Sequence, residues 1–448
     1  MAKPEAVDRS CVMRMRAGYY TTSRLSTFVA QKANIMTADH TQDKSVRRQV
    51  LGEIVLFGII SMLGDIVHES ARSVNGQYLS LLGVSAAQVG LVFGLGEFIG
   101  YALRLISGVI LDKSGKYWLF LFLGYGVHFV IPLMGCTTSW GVLIVLILTE
   151  RIGKAFRSPA KDTLLSGISE RQVGLGFAFG LQEALDQLGA FLGPLIFTAV
   201  FYYAGQSGVE EFQLGYKLLA IPFVVLMLFL VYVWRRVSRL EREHGAVAPT
   251  NKPGKLSRMF WIYSAFTFFT AFGLLNFGII GYHLKVRSIM SDTMITMLYA
   301  GAMGVDALVA LLIGRTYDRL KERTGSRTGG ILILLIVPLL TLLLPVLTLS
   351  TSVPVVISGM VILGVILGAH ETVMRSAIAD LTPYKKRGLG FGLFNTFYGL
   401  ALLAGSALSG LLYDRGLTMV IIILTAVSEG IALVFYGVMY RKVRATAQ

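Results

Sequence analysis

Cysteine is almost absent from this chain: Cys11 and Cys136 are the only two in 448 residues. They form no metal-ligand spacing and give no disulfide framework. Charge is scarce too, at 15% of residues against 54% hydrophobic. A soluble domain cannot hide that much apolar surface, so the default class is a polytopic membrane protein. Also missing are HExxH, Gly-x-Ser-x-Gly, a phosphate-binding Gly-rich loop and a His cluster with metal spacing. The usual sequence bases for an intramembrane enzyme are therefore lacking, and no catalytic residue, cofactor or metal is expected. No cleavable apolar signal peptide precedes the first apolar run.

Long apolar runs are what the chain has. Those of about 20 residues or more, bounded by Gly, Pro or charge, fall near 51–82, 86–111, 117–136, 140–161, 172–204, 213–235, 259–284, 292–315, 329–349, 353–380, 388–412 and 417–440. This predicts an all-α protein with twelve transmembrane helices. The formal charge of +15 could suggest nucleic acid, but Lys and Arg sit mostly in short connectors between spans, a topology signal rather than a nucleic-acid face. One set of connectors carries "DKSGK" (112–116), "WRRVSRLERE" (234–243), "RTYDRLKERTGSR" (315–327) and "YKKRG" (384–388), and the tail adds "RKVR" (441–444). The opposite set holds only Lys285, Arg287 and Arg415. Positive-inside logic then puts both termini in the cytoplasm.

The chain repeats itself. "GVILDKSGK" follows the second span and "GRTYDRLKE" the eighth, about 206 residues later. "RSPAKD" (157–162) pairs with "RSAIAD" (375–380), and "GLGFAFG" (174–180) with "GLGFGLF" (388–394). Three pairs in register mean duplicated halves. The expected organisation is a basic N-terminal tail over 1–50 without fixed structure, a six-helix bundle over 51–235, a linker over 236–258, a second bundle over 259–441 and a tail over 442–448. Residues 1–35 read as an arm for anionic headgroups, a presequence, a disordered tail or an upstream start ahead of Met36.

Twelve spans, a long central linker and duplicated Gly-x-x-x-Asp-basic loops resemble the major facilitator superfamily over nearly all of 50–441. Gly108, Asp112, Lys113, Gly115 and Lys116 fit its signature loop, and Gly314, Asp318 and Arg319 its weaker second copy. "LGAFLGPL" (188–195) is a partial match to the Gly/Pro motif of the fifth span, most typical of exporters. "ERIGKAFRSPAKD" with "GAHETVMRSAIADLTP" resembles a bacterial branch of poorly defined substrate. The resemblance implies two pseudo-symmetric six-helix bundles around a cavity that opens alternately to either side. It also implies spans 1, 4, 7 and 10 lining that cavity, spans 3, 6, 9 and 12 facing lipid, and residence in the bacterial inner membrane. A sensor on the same scaffold would need a soluble domain, for which the tail and linker are too small and polar.

Polar groups follow that map. Asp65, His68, Glu69 and Arg72 form one helical stripe in span 1. Span 4 offers Glu150 and Arg151, with Lys154 and Arg157 toward its cytoplasmic mouth; span 7 offers Asn276, and span 10 Glu371 and Arg375. In span 5, Glu183 and Asp186 lie so close that both ionise only if a cation intervenes. Glu97 and Arg104 in span 2 read as inter-helix partners, and span 3 has only His128. Each cluster is either a proton or substrate site or a set of ion pairs holding helices together. The intramembrane acids Asp65, Glu69, Glu97, Glu150, Glu183, Asp186, Asp306, Glu371 and Glu429 outnumber four Arg, which favours proton coupling. The expectation is a monomeric, proton-coupled exporter of a small organic solute, with uptake of an organic anion on Arg72, Arg151 or Arg375 as the alternative.

In the family, the Asp112 carboxylate caps a helix N-terminus and stabilises the state closed inside, where a dipole contact is worth a fraction to about 2 kcal/mol. Asp112→Asn should shift the balance between the two open states. Cysteine accessibility at both cavity mouths checks this, and an unchanged pattern contradicts it.

Overall fold

The computed structural model describes residues 21–169, 175–244, 256–325, 329–382 and 387–447; the side chains of Asp112, Asp318 and Arg375 lie outside the described residues. The described residues form helices and no strand. α1 (Thr21–Leu81) enters the apolar region at Val50. α2 (Ala86–Ser114) follows, then a third span of α3 (Tyr117–Gly126), a 3-10 turn and α4 (Val130–Met134), then α5 (Trp140–Ser169). The fifth span is α6 (Leu175–Leu192) with α7 (Pro194–Ala204), and the sixth α8 (Val209–Leu218) with α9 (Ala220–His244). The other half comprises α10 (Arg258–Gly273), α11 (Phe277–Val286), α12 (Asp292–Thr324), α13 (Ile336–Thr348), α14 (Val353–Leu381), α15 (Arg387–Asp414) and α16 (Thr418–Ala447).

Among the described residues, eleven segments are long and apolar enough to cross a bilayer. The remaining crossing is α5, whose Glu150, Arg151, Lys154, Arg157, Lys161 and Asp162 make it too charged to qualify on composition. Neighbouring helices take up the charges of Glu150, Arg151, Arg157 and Lys161, which lets it cross.

Local chemistry explains the interruptions. Pro194 has no N–H to give the preceding turn and starts α7. Asn276 starts α11 by accepting the Gly278 N–H at 2.7 Å. Gly115 ends α2 at φ 64°, its N–H bonded to Leu111 O at 2.8 Å, and Gly325 ends α12 at φ 59°. A left-handed cap suits glycine, so the glycine of "DKSGK" has a conformational role whatever its neighbours do.

In the first six spans the buried apolar side chains form two clusters. One, around Tyr78, Phe197, Phe212 and Tyr216, lies at the end away from the termini. The other, around Phe57, Phe120, Tyr125 and Leu230, lies at the termini's end. Between them α1 and α5 carry their charged residues, so the polar layer is walled above and below. The last six spans share one core, including Phe260, Tyr263, Phe266 and Phe394.

The halves meet mainly where α2 packs along α15, with α1 against α11 and α6 and α7 against α12. Gly90 backs onto Ser406 O and Gly410 onto Ala86 O, while a β-carbon on Gly94 would come within 2.9 Å of Leu403. With little hydrophobic drive between helices in lipid, such backbone contact supplies the dispersion energy. Gly90→Leu should therefore cost about 1–3 kcal/mol through overpacking. A lowered thermal midpoint of the purified protein would show this; an unchanged midpoint would mean the seam is looser than the packing implies.

Candidate functional site

The α1 stripe forms as its spacing predicts. His68 and Glu69 are buried, at 2% and 6% exposure, with Asp65 and Arg72 a turn away on either side. Arg72 Nη1 lies 3.4 Å from Glu69 Oε1 and its Nη2 3.6 Å from Glu97 Oε1. Glu69 Oε2 accepts a hydrogen bond of 2.6 Å from the hydroxyl of Tyr299, which belongs to α12 in the opposite half. Tyr299 had no signal in the sequence, since an aromatic in an apolar span reads as lipid-facing or core.

α5 meets this stripe with Glu150, Arg151, Lys154 and Arg157. Arg151 Nη1 lies 3.3 Å from Glu97 Oε1 and the same distance from His68 Nε2. A guanidinium can only donate, so His68 Nε2 accepts and its proton sits on Nδ1. That nitrogen is 2.9 Å from Glu150 Oε1. His128 repeats the arrangement: Arg157 bonds its Nε2, and its Nδ1 faces the same Glu150 oxygen at 3.8 Å. The two rings stack with centroids 6.3 Å apart. Arg151 Nε, 3.5 Å from Glu150 Oε2, completes the surround. His128, in a span expected to face lipid, is fully buried and turned inward.

A lower layer continues toward the termini. Arg157 Nη2 is 3.5 Å from Asp65 Oδ1, and Lys161 Nζ is 3.1 Å from Asp186 Oδ2 and bonded to Ser61 Oγ. Glu183 accepts from Gln187 at 3.4 Å. A cation thus stands beside Asp186, as two neighbouring carboxylates require. Arg157, expected at the cytoplasmic mouth, is instead buried at 5% exposure, drawn in by Asp65 and His128. The carboxylate excess counted from Arg alone does not hold for this half, because Arg157, Lys154 and Lys161 enter the same layer as the acids. A small recess, with room for about one water, opens among His68, Arg72, Asn75, Glu150, Arg151 and the apolar Ile131 and Met134. It therefore lies within the first half, between α1, α4 and α5.

The second half contributes fewer groups. Asp306 is 2% exposed and its Oδ1 has no hydrogen-bond partner among the described residues. Glu371 is half-buried on α14; its neighbour Arg375 falls outside the described side chains. His370 stacks on Tyr398 at 5.2 Å, and Tyr398 meets Tyr101 edge-on across the seam at 4.9 Å. The Asn276 side-chain oxygen is used in capping α11. Glu97 reaches α1 and α5, whereas Arg104 lies over the Tyr101 ring at 4.7 Å.

The model of the Major Facilitator Superfamily matches residues 50–324 and 282–448. The chain belongs to this superfamily. An uncharacterized protein of Mycobacterium tuberculosis is 35% identical over 379 residues, covering 83% of this chain and 89% of that one. An uncharacterized MFS-type transporter of Methanocaldococcus jannaschii is 23% identical over 405 residues, 87% of this chain and 96% of that protein. In fold, the chain is similar to a bacterial homolog of the human lysosomal transporter Spinster, solved inward-facing and unoccupied (TM-score 0.64, 16% identity, 90% of this chain and 98% of that one). The protein is thus a multi-pass membrane transporter of the superfamily, with a small molecule as its substrate.

Of the superfamily's signature loop, Lys113, Gly115 and Lys116 are exposed, as is Arg319 in the second copy. Gly108 and Gly314 face Pro159 and Thr372 at ordinary van der Waals distance. The firm closure is at the opposite end. Asp414, at the end of α15, accepts the Ala86 and Ala87 N–H groups through its two oxygens at 2.8 Å each. Ser207 bonds Asp292 at 2.5 Å and Thr198 bonds Thr296 at 2.9 Å, both between halves. Asp414 takes up orphan donors of the first α2 turn, which Ser85 caps only in part. Asp414→Ala should weaken this closure by about 0.5–2 kcal/mol, the worth of a helix N-cap. Distances between labels at Gly83 and Leu417 should lengthen; an unaltered distribution would remove Asp414 from the gate.

Proposed function

We propose that this transporter works by alternating access as a monomer in the bacterial inner membrane, both termini cytoplasmic, exporting a small organic solute in exchange for protons. The halves 51–235 and 259–441 are the rocking units, joined by the linker 236–258. The observation that carries the reading is Glu69, a buried carboxylate held by Arg72 on its own helix and by Tyr299 of the other half. Ionised, it binds the halves through a charge-assisted hydrogen bond, worth about 1.5–3 kcal/mol against roughly 1 for a neutral one. A proton on Glu69 weakens that bond and releases Arg72, so proton occupancy and the rocking equilibrium are linked. Export is supported by the Gly193–Pro194 break, which packs on α1 beside this carboxylate: Ser70 donates to Gly193 O at 2.6 Å. Asp65 and its Arg157 partner extend the charged path toward the termini.

Uptake of an organic anion remains the second reading because Arg72 keeps 24% of its side chain exposed. A thermal-shift ligand screen at two pH values supplies the solute. In proteoliposomes, wild-type protein should then move protons when that solute is added. Glu69→Gln or Asp65→Asn should cut the movement at least tenfold with insertion unchanged. Wild-type coupling in either variant would sink the role given to that carboxylate, and proton movement in the same direction as the solute would select symport.

A further inference from the structure

The seventh span is broken at mid-membrane, between Gly273 and Phe277, and the twelfth span braces the break from behind. On α16, Thr425, Ser428 and Glu429 fall on one stripe. Thr425 Oγ1 donates to Gly273 O at 3.0 Å and Ser428 Oγ to Phe269 O at 2.7 Å. Two hydroxyls thus take carbonyls at the end of α10. The third member of the stripe does not. Glu429 is fully buried, roughly 17 Å along α16 from Thr418, and neither carboxyl oxygen has a hydrogen-bond partner among the described residues. It fills the notch left by the missing side chain of Gly273, where a β-carbon would come within 2.6 Å of Oε1. Among the described residues no cation pairs with it, and no charged group, Asp306, Glu371 or Asp414 included, acts on it.

An anion there would face the negative end of α10 with no donor in reach, at a depth where hydrocarbon replaces water. A carboxylic acid fits the same place. Its O–H is a donor, and the end of a helix is rich in carbonyl acceptors. We propose that Glu429 is a proton-binding site of the second half, neutral while the end away from the termini is closed. Proton release from it requires the span-7 break to rearrange. The front of that break joins the cavity seam: Phe277 packs on Tyr299 with centroids 4.3 Å apart, and Gly278 backs onto Gly76 of α1. The site shares no residue with Glu69 and does not depend on how solute transport is coupled.

The test is infrared difference spectroscopy of the full-length protein in lipid across a pH series. Wild type should show a protonated-carboxyl C=O stretching band at neutral pH that shifts in deuterated water. Glu429→Gln should lose that band, Glu429→Asp should move it, and Glu69→Gln should leave it in place. Identical carboxyl bands in wild type and Glu429→Gln would overturn the proposal. So would loss of the wild-type band when sodium chloride replaces choline chloride, since the site would then hold a cation. Loss of solute-driven proton movement in Glu69→Gln with the Glu429 band intact would separate the two sites.

Discussion

A carboxylate buried in a bilayer must be given donors, and at Glu69 one donor comes from the helix that carries it and one from the other half of the protein. Much of the arrangement follows. Arg72, needed beside Glu69, draws in Glu97; Glu97 draws in Arg151; Arg151 fixes the tautomer of His68, whose Nδ1 lies 2.9 Å from Glu150. Each step satisfies a charge left by the one before, as low dielectric requires. α5 can cross the membrane with its charges only because this chain of partners exists. The two apolar clusters above and below confine the layer and keep lipid from it.

The halves, although duplicated in sequence, use their acids differently. In the first half, Asp65, Glu69, Glu97, Glu150 and Asp186 all have a basic neighbour. In the second, Asp306 and Glu429 form no ion pair among the described residues. A duplicated scaffold thus carries a network of paired charges on one side and buried acids without a basic partner on the other.

Much of this was legible from the sequence, for physical reasons. Apolar run length announced the spans, and the cost of charge in hydrocarbon made Asp65, His68, Glu69 and Glu150 stand out. Gly115 and Pro194 entered only as motif residues; in the structure the first caps α2 and the second starts α7, each through a local backbone rule. Tyr299, Tyr101 and Tyr398 were hidden because a tyrosine costs little at any depth. His128 and Arg157 were misplaced because one-dimensional position gives the depth of a side chain but not the direction in which it points. Asn276, expected as a cavity group, also uses its side-chain oxygen to start α11. The break in span 7 was nearly invisible too: "FGLLNFG" is apolar apart from Asn276, its one hint of a helix start.

The claim on which the account rests is that Glu69 and Tyr299 act as one link between the halves. A double-mutant cycle on the fraction of molecules closed at the end away from the termini, using Glu69→Gln, Tyr299→Phe and the pair, measures it directly. The account predicts a coupling of about 1–3 kcal/mol, with the double variant little worse than either single one. Additive effects would mean that the two side chains act independently, and would contradict it.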